Sequence, residues 1–161
     1  MALSDAQLSV FKTALLAETN PELVGYRTNG QTGLVAQWYN QPGTKTVWKT
    51  AVPNEQIGDA MNGTEIAGLS SLGMQRLQVL AAYSGGTQNP SRFDRRDAFD
   101  RVFSGAGGSS TRPALLALWK RLATRVEGLF ATGTGTDAVP AQLVFEGNIT
   151  DTDVDRAIAL P

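Results

Sequence analysis

Length, composition and charge restrict the class of protein first. The 161 residues are 42% hydrophobic, which is enough for one modest core and predicts a single domain. Lys plus Arg number 14 and Asp plus Glu 15, so no global field attracts nucleic acid or an anionic membrane. Cysteine and histidine are both absent, which excludes disulfides, zinc fingers and nucleophilic sites built on either residue. We therefore expect a protein without a cofactor or a bound metal.

The N-terminal residues do not have the pattern of a targeting segment. Asp5, Lys12 and Glu18 are interspersed among apolar residues, whereas a signal peptide has a basic start and an unbroken apolar run. No stretch of the chain approaches the roughly 20 apolar residues that a membrane-spanning helix needs. We expect synthesis in a bacterial-type cytoplasm and no membrane partner.

The N-terminal part of the chain predicts two helices followed by a strand. Ser4 begins the first helix, whose apolar residues recur every three or four positions, and Asn20-Pro21 ends it. Residues 34–39 suit a short amphipathic helix. Residues 44–52 are rich in β-branched and aromatic side chains and predict a strand.

Three helices are predicted after this strand. Residues 53–61 form the first, because proline suits an initial helical turn, and Asn62-Gly63 separates it from a longer helix over residues 64–83. The third begins at Asn89-Pro90. The apolar residues expected to face the core from the second and third helices are Leu69, Leu72, Leu77, Leu80, Phe93, Phe99, Val102 and Phe103.

The clearest helical pattern lies in residues 111–132, after a Gly/Ser-rich segment, residues 105–110, that predicts a flexible joint. Leu115, Leu118 and Leu122 fall on one apolar stripe of this helix. If Leu122 is buried there, its replacement by alanine should cost about 2–5 kcal/mol.

The C-terminal segment predicts a Gly/Thr loop, a short strand over residues 142–145 and a helix over residues 151–160. Because the strand has no obvious local partner, we interpret residues 132–161 as an arm that pairs with a neighbouring subunit. The alternative is pairing with residues 46–51 of the same chain. The expected fold is mainly α, with about six helices, at most one small β element and a helical body over residues 1–131.

One part of the chain resembles a known family. Its most specific motifs are Arg-Leu-Ala-Thr-Arg at residues 121–125 and Ala-Thr-Gly-Thr-Gly-Thr at residues 131–136. Residues 103–137, which contain both motifs, resemble a family of small proteins encoded among the virion genes of tailed bacteriophages. Further matching positions are residues 47–50, 89–91, 145–147 and 153–154, so that the resemblance covers most of the chain from Val47 onward.

The resemblance implies a non-enzymatic structural or assembly protein of the virion, made in the cytoplasm of the bacterial host. Small, mainly helical proteins are similar in kind to the adaptors that form rings below a phage portal. The resemblance therefore implies a homo-oligomer at the head–tail joint, in contact with portal, neck or tail proteins. A tail or baseplate-proximal position is the alternative, and passive contact with packaged DNA is compatible with either.

Two motifs mimic ligand sites without completing them. The Thr/Gly repeat at residues 132–136 could cradle a phosphate, but a P-loop needs a preceding strand and a Gly-Lys-Ser/Thr ending. Asp151, Asp153 and Asp155 have the spacing that opens a calcium loop, yet Arg156 stands where that loop requires glycine. Helix capping explains these acids without a metal.

The remaining candidates are catalytic acids and interface residues. A carboxylate-based cell-wall hydrolase is the alternative from another class, although no spacing picks out a pair of acids. The available glutamates are Glu18, Glu22, Glu55, Glu65, Glu127 and Glu146. The candidate subunit contacts are one aromatic residue, three arginines and the predicted strand, namely Trp48, Arg112, Arg121, Arg125, Leu143, Val144 and Phe145.

Overall fold

A computed structural model describes residues 3–82 and 84–161 of the chain. It is 57% helical and contains ten α-helices in these residues, so the expected number of about six is wrong. The helices are α1 (Asp5–Ala17), α2 (Pro21–Thr28), α3 (Thr32–Tyr39), α4 (Asn54–Ala60), α5 (Gly63–Ala67), α6 (Ser71–Ala82), α7 (Phe93–Val102), α8 (Thr111–Leu118), α9 (Arg125–Phe130) and α10 (Asp151–Ala159).

The β structure also exceeds the single small element that was expected. Strands β1 (Pro42–Trp48) and β4 (Lys120–Thr124) form one two-stranded sheet. Strands β2 (Val52–Pro53) and β3 (Thr87–Gln88) form a second, antiparallel one. These pairings join residues far apart in sequence, which local patterns do not reveal.

The described residues form two compact units. Unit 1 contains residues 3–47 and Leu122–Pro161, and unit 2 contains Trp48–Arg121. The predicted division at residue 131 does not coincide with either change of unit. The C-terminal segment instead belongs to the same unit as the N-terminal helices.

The core of unit 1 contains residues of α1, α2, α3, α9 and α10. Phe11 packs edge-on against Tyr39, with ring centroids 4.8 Å apart. Val154 and Ala157 of α10 are fully buried in the same cluster. Burial raises the pKa of the Tyr39 phenol to about 12, and the negative charge of Glu18 adds to this effect. The phenol therefore stays neutral at physiological pH.

Capping residues explain where α1 and α2 begin. The sequence predicted a helix start at Ser4, and Ser4 is the N-cap of α1, where it forms a reciprocal capping box with Gln7. Asn20 accepts hydrogen bonds from the first amides of α2, and Pro21 occupies its first turn. The Asn-Pro pair thus ends α1 and also begins a helix that the sequence analysis missed.

The predicted long helix over residues 111–132 is wrong. It is divided into α8, strand β4 and α9, because Thr124 forms a capping box with Glu127 and begins a new helix. Leu122 lies in the strand with 55% of its surface exposed, whereas the neighbouring Ala123 is fully buried. This alternation is that of a strand with one covered face.

Unit 2 has a separate core around Phe103, Leu115 and Trp119, with the rings of Phe99 and Trp119 5.4 Å apart. The predicted helix over residues 64–83 is interrupted after α5, and its last residue, Tyr83, lies outside the described residues. Phe93 was expected to face the core but is 73% exposed.

The predicted flexible joint at residues 105–110 contains a 3-10 helix, Gly105–Gly108. Gly108 is buried, and a Cβ atom at this position would lie 1.9 Å from the carbonyl oxygen of Phe103. The glycine is therefore needed for close packing of two backbone segments.

Residues 142–145 do not form the predicted strand. Ala141 makes an isolated parallel bridge with Val47, and Gln142 makes an antiparallel bridge with Thr132. The amide of Ala141 donates to the carbonyl of Thr46 over 2.9 Å. The backbone of this segment therefore pairs within its own chain, close to the intramolecular alternative.

Candidate functional site

The predicted interface residues of unit 2 mostly stabilise their own unit. Trp48 is buried in the core, and the guanidinium of Arg96 lies 4.0 Å from the centre of its ring. Arg112 donates hydrogen bonds to the carbonyls of Gly105 and Gly108 and so braces the 3-10 helix. Arg121 is half-buried in strand β4.

Arg125 has a similar internal role in unit 1. Its guanidinium lies 3.9 Å from the centre of the Trp38 ring and donates to the carbonyl of Trp38 and to the side chain of Gln41. These contacts tie the start of α9 to the end of α3. A guanidinium held by an aromatic face and two acceptors has little freedom to bind another molecule.

The three residues of the predicted strand have different environments. Phe145 is buried in the core of unit 1, where its ring packs against Phe130 with centroids 5.6 Å apart. Leu143 is half-buried beside Val47 and Ala141. Val144 alone among the three is exposed, with 63% of its surface accessible. The arm interpretation would require the other two to leave their packed positions.

The acids with calcium-like spacing have a structural explanation. Asp153 is buried and accepts hydrogen bonds from the amides of Thr150 and Leu3. Burial alone would raise the pKa of its carboxyl. The hydrogen bonds from these amides and the charge of the nearby Arg156 outweigh this effect, so the pKa of Asp153 is lowered overall. Asp151 and Asp155 point to solvent. No cluster of acids in residues 3–82 and 84–161 is arranged to hold a metal ion.

The Gly/Thr loop packs against β1. The carbonyl of Gly135 accepts from the amide of Thr46 over 2.7 Å, and the Gly135 amide donates to Val139. Gly135 has a φ of +73°, and a Cβ atom there would lie 2.9 Å from Cγ of Lys45. The loop thus uses its glycine for close packing, and this backbone amide is already engaged.

Two of the glutamates act as helix caps. Glu127 accepts from the amides of Thr124 and Gly147. Glu65, on α5, accepts from the amides of Ser110 and Thr111 over 2.8 and 2.9 Å. The Glu65 carboxylate therefore caps the N-terminus of α8, where the helix dipole also favours a negative charge.

This contact predicts an acid-sensitive contribution to the stability of unit 2. Hydrogen bonds from the Thr111 side chain and then from the Ser110 amide lower the pKa of Glu65 from 4.5 to about 2. A carboxyl whose pKa is lowered on folding stabilises the fold above its unfolded pKa. That stabilisation is lost as pH falls from 4.5 to about 2.

The test compares Glu65→Gln with the unchanged protein by thermal unfolding from neutral pH down to about pH 2. The unchanged protein should melt at a higher temperature near neutral pH, and the difference should shrink as the acid is protonated. A difference that is constant with pH would show that the charge of Glu65 does not contribute.

An exposed apolar groove lies between α6 and α7 of unit 2, and the sequence did not predict it. Its volume is about 480 Å³, and its lining is mainly apolar, from Leu72, Val79, Leu80 and Ala98. Leu72 and Val79 are 55% and 54% exposed, and no residue of α6 is fully buried. We call this the α6–α7 groove. Apolar residues on more than one face of α6 were the available signal.

The lining of the groove also includes two positively charged side chains. Arg76 of α6 and Arg101 of α7 line it, and both are exposed. Nε of Arg101 donates to Asp97 over 2.7 Å, yet 72% of the arginine side chain remains accessible. The groove is therefore complementary to a partner surface that has apolar side chains with acidic groups beside them.

Comparisons with known proteins do not assign the chain to a family. Among residues 3–82 and 84–161, no helix combines the length and apolar character that a bilayer crossing requires. No protein-family model, curated protein or solved structure matches the chain.

Proposed function

We propose that the chain is a non-enzymatic structural protein of a tailed-phage virion, and specifically a ring component of the head–tail connector. The resemblance of residues 103–137 to small phage virion proteins motivates this function. The proposed protein resides in the virion and contacts copies of itself together with portal, neck or tail proteins.

The observation that best supports an assembly role is the exposed apolar surface of α6. Exposed apolar side chains of this kind are what protein–protein contacts bury at their centres. Leu72 and Val79 remain more than half exposed to water within their own unit. Their burial by a partner therefore contributes favourable free energy to binding. In the proposed assembly, these apolar side chains of α6 are buried by a neighbouring protein.

Protein composition of purified particles tests this proposal. Mass spectrometry of gradient-purified particles of the encoding phage should detect this chain together with the known capsid and tail proteins. A non-structural enzyme of the same phage is the matched negative control. Detection in infected-cell lysate but not in particles would contradict the proposal, and so would clearing of a cell-wall suspension by the purified chain.

A further inference from the structure

Helix α10 of unit 1 has a surface that complements the α6–α7 groove. Its inner residues, Val154 and Ala157, are buried against the rest of unit 1. Its outer face presents Asp151, Asp155 and Ile158 at positions i, i+4 and i+7, which align along one side of a helix. All three are exposed, and Ile158 has 45% of its surface accessible.

The charges of this outer face are acidic. Arg156, the only basic residue of α10, donates to Asp5 and to the carbonyl of Leu3, so its charge is directed into unit 1. Two aspartates therefore accompany one apolar side chain on the outer face. The α6–α7 groove offers the opposite combination, a mainly apolar lining that also includes two arginines.

We propose that the outer face of α10 from one copy docks in the α6–α7 groove of a second copy. Ile158 enters the apolar part of the groove beside Leu72 and Val79, and the two aspartates face Arg76 and Arg101. This inference rests on the proposed ring function and specifies the contact between ring neighbours.

The contact is heterologous, because it joins two different surfaces of the same chain. Contacts of this kind leave one free groove and one free α10 at the ends of any open chain, and they close into rings or extend into filaments. The formal net charge of −1 means that copies of the chain do not repel each other strongly. Local charge complementarity then determines the orientation of the docked helix.

Absence of cysteine makes disulfide mapping of this contact direct. Val79→Cys and Ile158→Cys are prepared as separate single variants and mixed under mild oxidation at high protein concentration. Mixed Val79–Ile158 dimers should form, because residues in contact approach within the roughly 7 Å between Cα atoms that a disulfide allows. The matched control mixes Val79→Cys with Glu22→Cys, an exposed position on α2.

Charge reversal adds an independent readout. Replacing Arg76 and Arg101 by glutamate in the Val79→Cys protein should slow formation of the mixed dimer about tenfold. Adding Asp151→Arg and Asp155→Arg to the Ile158→Cys protein should restore the rate. Circular dichroism of each variant tests whether the helical content of the unchanged protein is kept.

Two results would overturn the docking proposal. The first is a mixed Val79–Ile158 dimer that forms no faster than the control pair. The second is a predominance of Val79–Val79 dimers, which indicates a two-fold symmetric contact. If either occurs while particles contain the chain, only the docking mode fails. If cross-linking succeeds but particles lack the chain, the virion function fails and the self-association stands.

Discussion

Deletion of residues 132–161 is expected to abolish cooperative folding of unit 1. The deletion removes Phe145, Ile149, Val154 and Ala157, all of which are buried in the same core as the N-terminal helices. Each lost large side chain costs several kcal/mol, and small domains are stable by only about 5–15 kcal/mol in total. The deletion therefore removes more stabilisation than the unit has available.

Thermal unfolding followed by circular dichroism measures this effect, and limited proteolysis shows which segment becomes accessible. The truncated chain should be cleaved readily within residues 3–47. The full-length Val144→Ser variant is the control, because this exposed side chain lies in the same segment but outside the core. A truncated chain that melts like the full-length protein would restore the interpretation of residues 132–161 as a separable arm.

Leu115→Ala is expected to destabilise unit 2 by about 2–5 kcal/mol, whereas Leu122→Ala should change the free energy of unfolding by no more than about 0.5 kcal/mol. Leu115 is 2% exposed within the core of unit 2, and its truncation leaves a cavity. Leu122 is 55% exposed, so little buried surface is lost.

Chemical denaturation of the two variants separates these expectations, since both remove the same atoms from leucines seven positions apart. Equal destabilisation would favour the continuous helix over residues 111–132, in which both leucines occupy one stripe. A larger loss for Leu122→Ala would mean that the structure buries the wrong face of this segment.

Local capping signals predicted part of the fold. The helix start predicted at Ser4 is the N-cap of α1, and the helix predicted from Asp151 is α10, which Thr150 caps by accepting from the amide of Asp153. The same kind of signal at Thr124 and Glu127 was overlooked, because the apolar spacing of residues 111–132 fits one long helix. Pairing of β4 with β1 is nonlocal, and sequence periodicity does not contain that information.

The candidate site was harder to predict for a physical reason. Large aromatic residues and arginines are common at interfaces, but they also stabilise cores and bind carbonyls. In this protein Trp48 packs in the core of unit 2, and Arg125 donates to a backbone carbonyl. The α6–α7 groove depends on which apolar residues of α6 remain uncovered, and this is settled by tertiary packing. Val79 was not among the residues that periodicity selected.

The position of the chain in assembled particles tests the proposed function most directly. Gold-labelled antibodies against the chain, viewed by electron microscopy of purified particles, locate it without assumptions about its contacts. The proposed connector role predicts label at the joint between head and tail. Label at the distal end of the tail, or particles without label, would contradict it.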